Sequence, residues 1–336
     1  GGRDSHFIVH LIKNKFKMNP LLVSYNKQYN TDVGIRNLAN LRIKFNCDII
    51  SKTVNPVSVK SITRETLHRI GSLYWHCLAG ETVFPVQTAV NLKIPLIIWG
   101  AHQGNEQVGM FKHEHEVEMT RRYRKDHDLM GFEADDLLSD FDVLSERDIW
   151  QYRYPEDEEL KSVGVRGIYL NNYVRWDPKS QHELMITKYG YETAKFNRTF
   201  DCYDFVDCYN YMNLHDLLKY YKTGISKVTD HATREIRHGR LSKEEASDLV
   251  DHYQKFEPSY IDMFCDWLGT NRRSLQYILD LHRNKDIWEL DNNRNWVFKK
   301  KLKLNKKNNF KSSIKFEANS SLSRNISNQY ITIGKG

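Results

Sequence analysis

Apolar positions in the first hundred residues alternate between helical and strand-like spacing. Phe7, Ile8, Leu11 and Ile12 form a helical stripe that Asn19-Pro20 ends. Leu21-Leu22-Val23 then predicts a short buried strand. Thr31 or Asp32 can cap a second helix, with Ile35, Leu38, Leu41 and Phe45 on its inner face. Cys47 to Val54 predicts a second strand, Ser58 to Leu73 a helix, and Gly80 to Lys93 another, with Pro85 near its start. Ile94-Pro95-Leu96-Ile97-Ile98-Trp99-Gly100 predicts a strongly apolar third strand closed by glycine, and Gly167 to Leu170 one more.

Continuous apolar strands alternating with amphipathic helices predict an α/β fold with a doubly wound parallel sheet covered on both faces. One piece is lacking, because a glycine turn that opens a helix normally closes a strand, and Gly1-Gly2 has none ahead of it. Residues 119–159 are charged and helix-rich. Beyond Asn213 the pattern is helical: Leu214 to Tyr221, Ala232 to Arg237, Ser242 to Tyr253, Tyr260 to Leu268 and Arg273 to His282. The predicted organisation is an α/β domain over 1–176, a mostly helical substrate or partner region over 177–291, and a polar, Lys-rich tail over 292–336.

Composition changes the picture in three places. The chain has 336 residues and 40% hydrophobic content, enough for a buried core, and no apolar run of about 18 residues that would predict a membrane span. Its net charge is +7, but eight lysines and no acidic residue lie between Val297 and Phe316. The basic excess belongs to the tail, which argues against a broad nucleic-acid-binding face. The five cysteines are odd in number, irregularly spaced and without a C-x-x-C pair, which favours a reducing, cytoplasmic setting over a disulfide framework.

The candidate chemistry starts at Gly1-Gly2-Arg3-Asp4-Ser5. Glycines let backbone N–H groups approach phosphate oxygens, and the helix N-terminus adds free donors and partial positive charge. Asp4 would repel phosphate unless a cation lay between them, which points to Mg²⁺. The plainer alternative is a glycine turn with Asp4 or Ser5 as helix N-cap. No G-x-x-x-x-G-K-[ST] or G-x-G-x-x-G occurs.

These residues resemble S-G-G-x-D-S, the pyrophosphate (PP) loop of the ATP pyrophosphatases, with its first serine ahead of Gly1. MNPLLVSYN (18–26), GIRNLANLRIKFNCDII (34–50), YWHCLAG (74–80), FPVQTAV (84–90), IPLIIWG (94–100), YLNNYVRWD (169–177) and KVTDHATREIRHGRLSKEEA (227–246) resemble the N-acetyl sugar amidotransferases of lipopolysaccharide and nonulosonic-acid biosynthesis. The similarity runs from residue 1 to about 290. It implies a fold of the adenine-nucleotide alpha-hydrolase type and an ATP-dependent conversion of an acetamido sugar to its acetamidino form. The reaction passes through an adenylated imidate, with ATP and Mg²⁺ as cofactors. It also implies an acetamido-sugar substrate, nucleotide-linked or acidic, and ammonia from a separate glutaminase subunit. Family members carry a first strand and paired, zinc-binding cysteines ahead of the loop. The resemblance therefore implies that this chain is N-terminally truncated and that any zinc site lies ahead of Gly1.

On this resemblance Gly1, Gly2, Arg3, Asp4 and Ser5 hold the nucleotide, with Val23, Ser24, Tyr25 and Gly100 at strand ends, where a doubly wound sheet binds ligands. Tyr25 could equally start a loop. Trp75 and His76 are candidate substrate contacts, with a packed aromatic as the alternative and Cys77 as a small buried thiol. Asp4, Asp230 and His231 are candidate catalytic groups, and Arg234, Arg237 and Arg240 candidate substrate-binding groups for a phosphate or carboxylate. A capped helix with a surface charge pair is the alternative there. His113-Glu114-His115-Glu116 looks metal-binding, but alternate helix residues diverge, so a solvated face is the better reading. Two rival functions remain: a tRNA-modifying enzyme of the thiolase or lysidine-synthetase type, and a non-catalytic nucleotide-binding assembly subunit.

Overall fold

The computed structural model describes residues 1–28, 30–101, 118–138 and 143–299. The chain opens with helix α1 (Arg3–His10), N-capped by Gly2 and continuing as a π turn over Leu11–Lys15. Strand β1 (Leu22–Tyr25) leads to helix α2 (Asp32–Phe45), where Thr31 is the cap and its Oγ1 accepts from the Gly34 amide at 3.0 Å. Strand β2 (Ile49–Lys52), helix α3 (Pro56–Ile70), helix α4 (Trp75–Leu92) and strand β3 (Leu96–Trp99) follow. Later come strand β4 (Arg166–Tyr169) and helix α5 (Pro178–Tyr189). Helices α6 (Tyr209–Thr223), α7 (Lys227–Arg237), α8 (Lys243–Tyr253), α9 (Ile261–Leu268) and α10 (Arg272–Leu281) complete the helical part. Short helical turns occupy part of 121–163.

The fold is therefore mixed α/β. β1 pairs in parallel with β2, with Leu22 opposite Ile49, and β3 pairs in parallel with β4, with Leu96 opposite Arg166. Among the described residues these remain two separate two-stranded sheets, so β1 and β3 each keep one edge unpaired. Helix α4 packs on both strands and spans the gap between them.

Several elements differ from their predicted form for physical reasons. α4 begins at Trp75 rather than Gly80, and Pro85 lies in its interior. Trp75, His76, Cys77, Ala79 and Val83 are all buried, so the start of this helix has no exposed polar face and carries no periodic signal. The third strand, predicted to be buried on both faces, is only half-buried, with Leu96 exposed. Ile35, predicted on the inner face of α2, is 55% exposed, and the buried face is Gly34, Asn37, Leu41 and Phe45. Helix α5 and an antiparallel hairpin, β5 (Trp288–Leu290) with β6 (Trp296–Phe298), had no counterpart in the periodicity. All five cysteines are free.

One hydrophobic cluster joins the two halves of the chain. Leu67, Leu73, Tyr74 and Cys77 pack with Tyr211, Leu214, Phe264, Leu268 and Leu279. A second cluster places Phe7 of α1 and Leu11 of the π turn against Leu170, Val174 and Met185. The start of α1 is thereby fixed between the sheets and the helical part.

Candidate functional site

A cavity of about 1360 Å³ opens between β1 and β3. Gly1, Asp4 and Ser5 line it from the start of α1, Val23, Ser24 and Tyr25 from β1, and Gly100 from the end of β3. Close approach fixes this arrangement. A Cβ on Gly100 would lie 3.1 Å from both Asp4 Cβ and Ile8 Cδ1, so a larger residue there would crowd α1 away from the strand end. Gly1 lies against the first turn of α2, which follows β1. The glycine turn thus sits across the C-terminal ends of both strands, where ligands bind in open parallel α/β sheets.

Asp4 and Ser5 occupy the first helical turn, and Gly2, not either of them, is the N-cap, without a side-chain cap bond. The first backbone N–H groups of a helix have no intrahelical acceptor, so this end of α1 can offer donors to an anion. Asp4 is partly exposed and pairs with Arg3 Nε at 3.2 Å.

The other residues singled out in the sequence do not line this cavity. Trp75 is fully buried, and its Nε1 donates to the Phe132 carbonyl at 2.8 Å. His76 is buried beneath Tyr25, whose hydroxyl lies 3.3 Å from its Nδ1 and 2.7 Å from the Tyr152 hydroxyl. Burial, reinforced by the Lys27 ammonium, pushes His76 down to about 3, so the ring is neutral. Arg237 is exposed on α7. The His113–Glu116 run lies outside the described residues.

Asp230, His231, Arg234 and Arg240 belong to a polar network behind the glycine turn. His231 Nε2 lies 3.0 Å from Asp204 Oδ2, and its Nδ1 lies 2.7 Å from Thr199 Oγ1. Arg234 donates to Asp201 at 2.6 Å and to Glu235 at 2.9 Å. Arg240 pairs with Glu235 and with Asp177. Lys219 holds Asp230 at 2.5 Å. Arg3 reaches this network from the other side, with Nε 3.3 Å from Asp204 Oδ1. Burial would raise the Asp204 carboxyl, but Arg3 and the His231 hydrogen bond hold it well below its ordinary value.

Sequence reasoning missed the segment that ties these parts together. D-C-Y-D-F-V-D (201–207) carries an aspartate at every third position. Asp201 takes Arg234, Asp204 takes Arg3 and His231, and Asp207 takes Lys27 at 3.2 Å. This strap joins helix α7 to the glycine turn and to the end of β1. Its spacing was the available signal. Spacing alone does not give its meaning, because the partners of the aspartates, Arg3, Lys27, His231 and Arg234, lie far away in sequence.

Among the described residues no helix is long and apolar enough to cross a membrane. None of the curated proteins searched matches the chain. Residues 185–303 match a family model described as LPS biosynthesis protein WbpG-like, C-terminal domain. That stretch, roughly a third of the chain, holds the aspartate strap and helices α6 to α10, and over it the chain is similar to the C-terminal domain of WbpG-like lipopolysaccharide biosynthesis proteins.

Proposed function

We propose that the chain is an ATP-dependent amidotransferase of lipopolysaccharide biosynthesis that converts an acetamido group on a sugar to an acetamidino group. The observation that carries this reading is the meeting of Gly1, Asp4, Ser5, Ser24 and Gly100 on one cavity at the strand ends. The similarity of residues 185–303 to a lipopolysaccharide biosynthesis domain supports the pathway. Two parallel strand pairs with free edges facing that cavity support a doubly wound sheet of the PP-loop type, with one further strand between them. The proposed organisation stays 1–176 for this domain, 177–291 for the helical region and 292–336 for the tail.

The donor set suits a nucleotide. Mg²⁺ binds through one or two carboxylates together with substrate phosphates, and Asp4 can supply one carboxylate. Among the described residues no cluster of three or more His, Cys, Asp or Glu could hold a metal by protein ligands alone. Bound with ATP, Mg²⁺ would supply charge neutralisation on the phosphates. The backbone N–H groups at the start of α1 and the Ser5 hydroxyl would hold the pyrophosphate oxygens, and Ser24 and Tyr25 would flank the nucleoside.

In the proposed reaction the acetamido oxygen attacks the α-phosphorus of ATP. The bond to the bridging oxygen breaks and pyrophosphate leaves. Ammonia from a separate glutaminase then adds to the imidate carbon, loses protons to a base, and AMP departs with the former amide oxygen. Adenylation is needed because an amide oxygen is otherwise a poor leaving group, and donors fixed at the turn stabilise charge on the departing pyrophosphate. Arg234 and His231 are already engaged in buried pairs, so their proposed part is to hold Arg3 and the turn in place.

The test is incubation with ATP, Mg²⁺, ammonia and a panel of nucleotide-linked acetamido sugars. AMP and pyrophosphate should appear only with a particular sugar, together with the acetamidino product by mass spectrometry. ATP binding without sugar-dependent AMP would instead favour a nucleotide-binding assembly subunit.

A further inference from the structure

Lys27 lies just beyond β1 on the wall of the same cavity, beside Gly1, Glu81 and Asp207. It is only 8% exposed. Its Nζ is 2.6 Å from Glu81 Oε1 and 3.2 Å from Asp207 Oδ2. A buried ammonium tends to lose its proton, but here Asp207 and Glu81 outweigh burial and keep Lys27 well above its ordinary value. An ammonium thus stands beside the glycine turn, bound to two carboxylates from distant parts of the chain.

The approach of Asp207 is built into the turn. A Cβ on Gly34 would lie 2.4 Å from Asp207 Cα, and a Cβ on Gly2 would lie 3.3 Å from Asp207 Oδ1. The glycines therefore admit the strap and set a carboxylate oxygen against the backbone read above as an anion cradle. The Asp207 side chain keeps 20% exposure, whereas Lys27 is enclosed. Glu81 is the more exposed carboxylate at 37%, but it holds the ammonium at 2.6 Å, so Asp207, at 3.2 Å, is the weaker contact and the one a ligand can replace.

We propose that Lys27 is a polyphosphate-binding cation of this site and that Asp207 holds the anion's place until the ligand arrives. On binding, Lys27 Nζ exchanges the Asp207 carboxylate for a phosphate oxygen and keeps Glu81 as its anchor. The ammonium is paired in both states, so the exchange never leaves a buried charge alone. This inference rests on the pyrophosphate reading of the glycine turn and names the side chains that complete it.

Calorimetric titration of the full chain with inorganic pyrophosphate and with AMP, in the presence of Mg²⁺, tests it. Lys27→Met should weaken pyrophosphate binding about tenfold or more, the usual scale for losing a charge-assisted hydrogen bond, while AMP binding stays within about twofold. Lys27→Arg should retain most of the affinity. Asp207→Asn leaves Lys27 paired with Glu81 and should bind pyrophosphate several-fold more tightly, the reverse of what a merely structural aspartate would do. Should Lys27→Met fail to fold, the Asp207→Asn arm still decides. Unchanged pyrophosphate affinity in folded Lys27→Met, or unchanged or weakened affinity in Asp207→Asn, overturns the role of Lys27 and Asp207. A wild-type chain that binds neither pyrophosphate nor ATP overturns the pyrophosphate site itself.

Discussion

Histidines buried without charge are a residue-scale property with a measurable consequence. Burial holds His76 and His215 down to about 3, and His6 and His10 down to about 4. In the unfolded chain each returns to about 6.5, so between these values the unfolded state binds more protons. Their contribution to stability is therefore complete above about pH 6.5 and is lost as the pH falls toward the folded values. Urea unfolding from pH 7.5 down to pH 4.5 should show stability declining steadily with acidity. His76 alone contributes a slope of about 1.4 kcal/mol per pH unit. His76→Gln keeps a neutral polar group beneath Tyr25 and should flatten the decline by that amount. An identical slope in the variant would mean that His76 does not stay neutral in the fold.

At the scale of elements, the aspartate strap and the first turn of α2 share one tight contact. Gly34 lies in the helix, where alanine would ordinarily gain about 1 kcal/mol. The added Cβ would stand 2.4 Å from the backbone of Asp207, which cannot rotate away as a side chain could. Overpacking should win, and Gly34→Ala should cost about 1–3 kcal/mol in chemical denaturation. A more stable variant would mean that the strap sits elsewhere. Elements of this size were unevenly legible in the sequence. Thr31 marks the start of α2, whereas the expected 58–73 misses the Asn55 cap of α3, which spans Pro56–Ile70. Helices α2 and α3 could be read because their apolar positions repeat, and strands β1 to β4 because they are short apolar runs. The first turn of α4 could not, because burial on every side erases the period. The loop 199–208 could not either, since it has no period and its meaning lies in Arg3, Lys27, His231 and Arg234. The glycine turn was legible as a turn, and the grouping of Asp4, Ser24 and Gly100 on one cavity followed from strand order. The inward burial of Trp75, His76 and Arg234 depends on packing across the chain, which spacing along it does not carry.

At the scale of the whole molecule, the sequence and the sheets disagree in an informative way. Leu96-Ile97-Ile98-Trp99 has the continuous apolar character of a strand covered on all sides, yet Leu96 is exposed and the rest are half-buried. Ile35 and Leu38 of α2, Ile8 of α1 and Ile12 of the π turn that follows it also line the cavity between β1 and β3. Two strands whose C-terminal ends meet the same turn and whose inner edges are unpaired form a slot for one strand parallel to both. The doubly wound reading predicts that an extended apolar segment placed directly ahead of Gly1 fills it. The experiment appends about six Val- and Ile-rich residues, a usual strand length, and a serine to Gly1, then follows amide hydrogen exchange. The amides of β1 and β3 that point into the gap should slow together, and the melting temperature should rise. A segment with proline at alternate positions loses every donor on one edge, which a central strand does not tolerate, and should leave exchange as it was. Slowing on β1 alone, or on neither strand, would sink the proposed doubly wound sheet. Slowing on both would make the glycine turn the end of a central strand, the position from which its backbone donors could be held rigid for a leaving pyrophosphate.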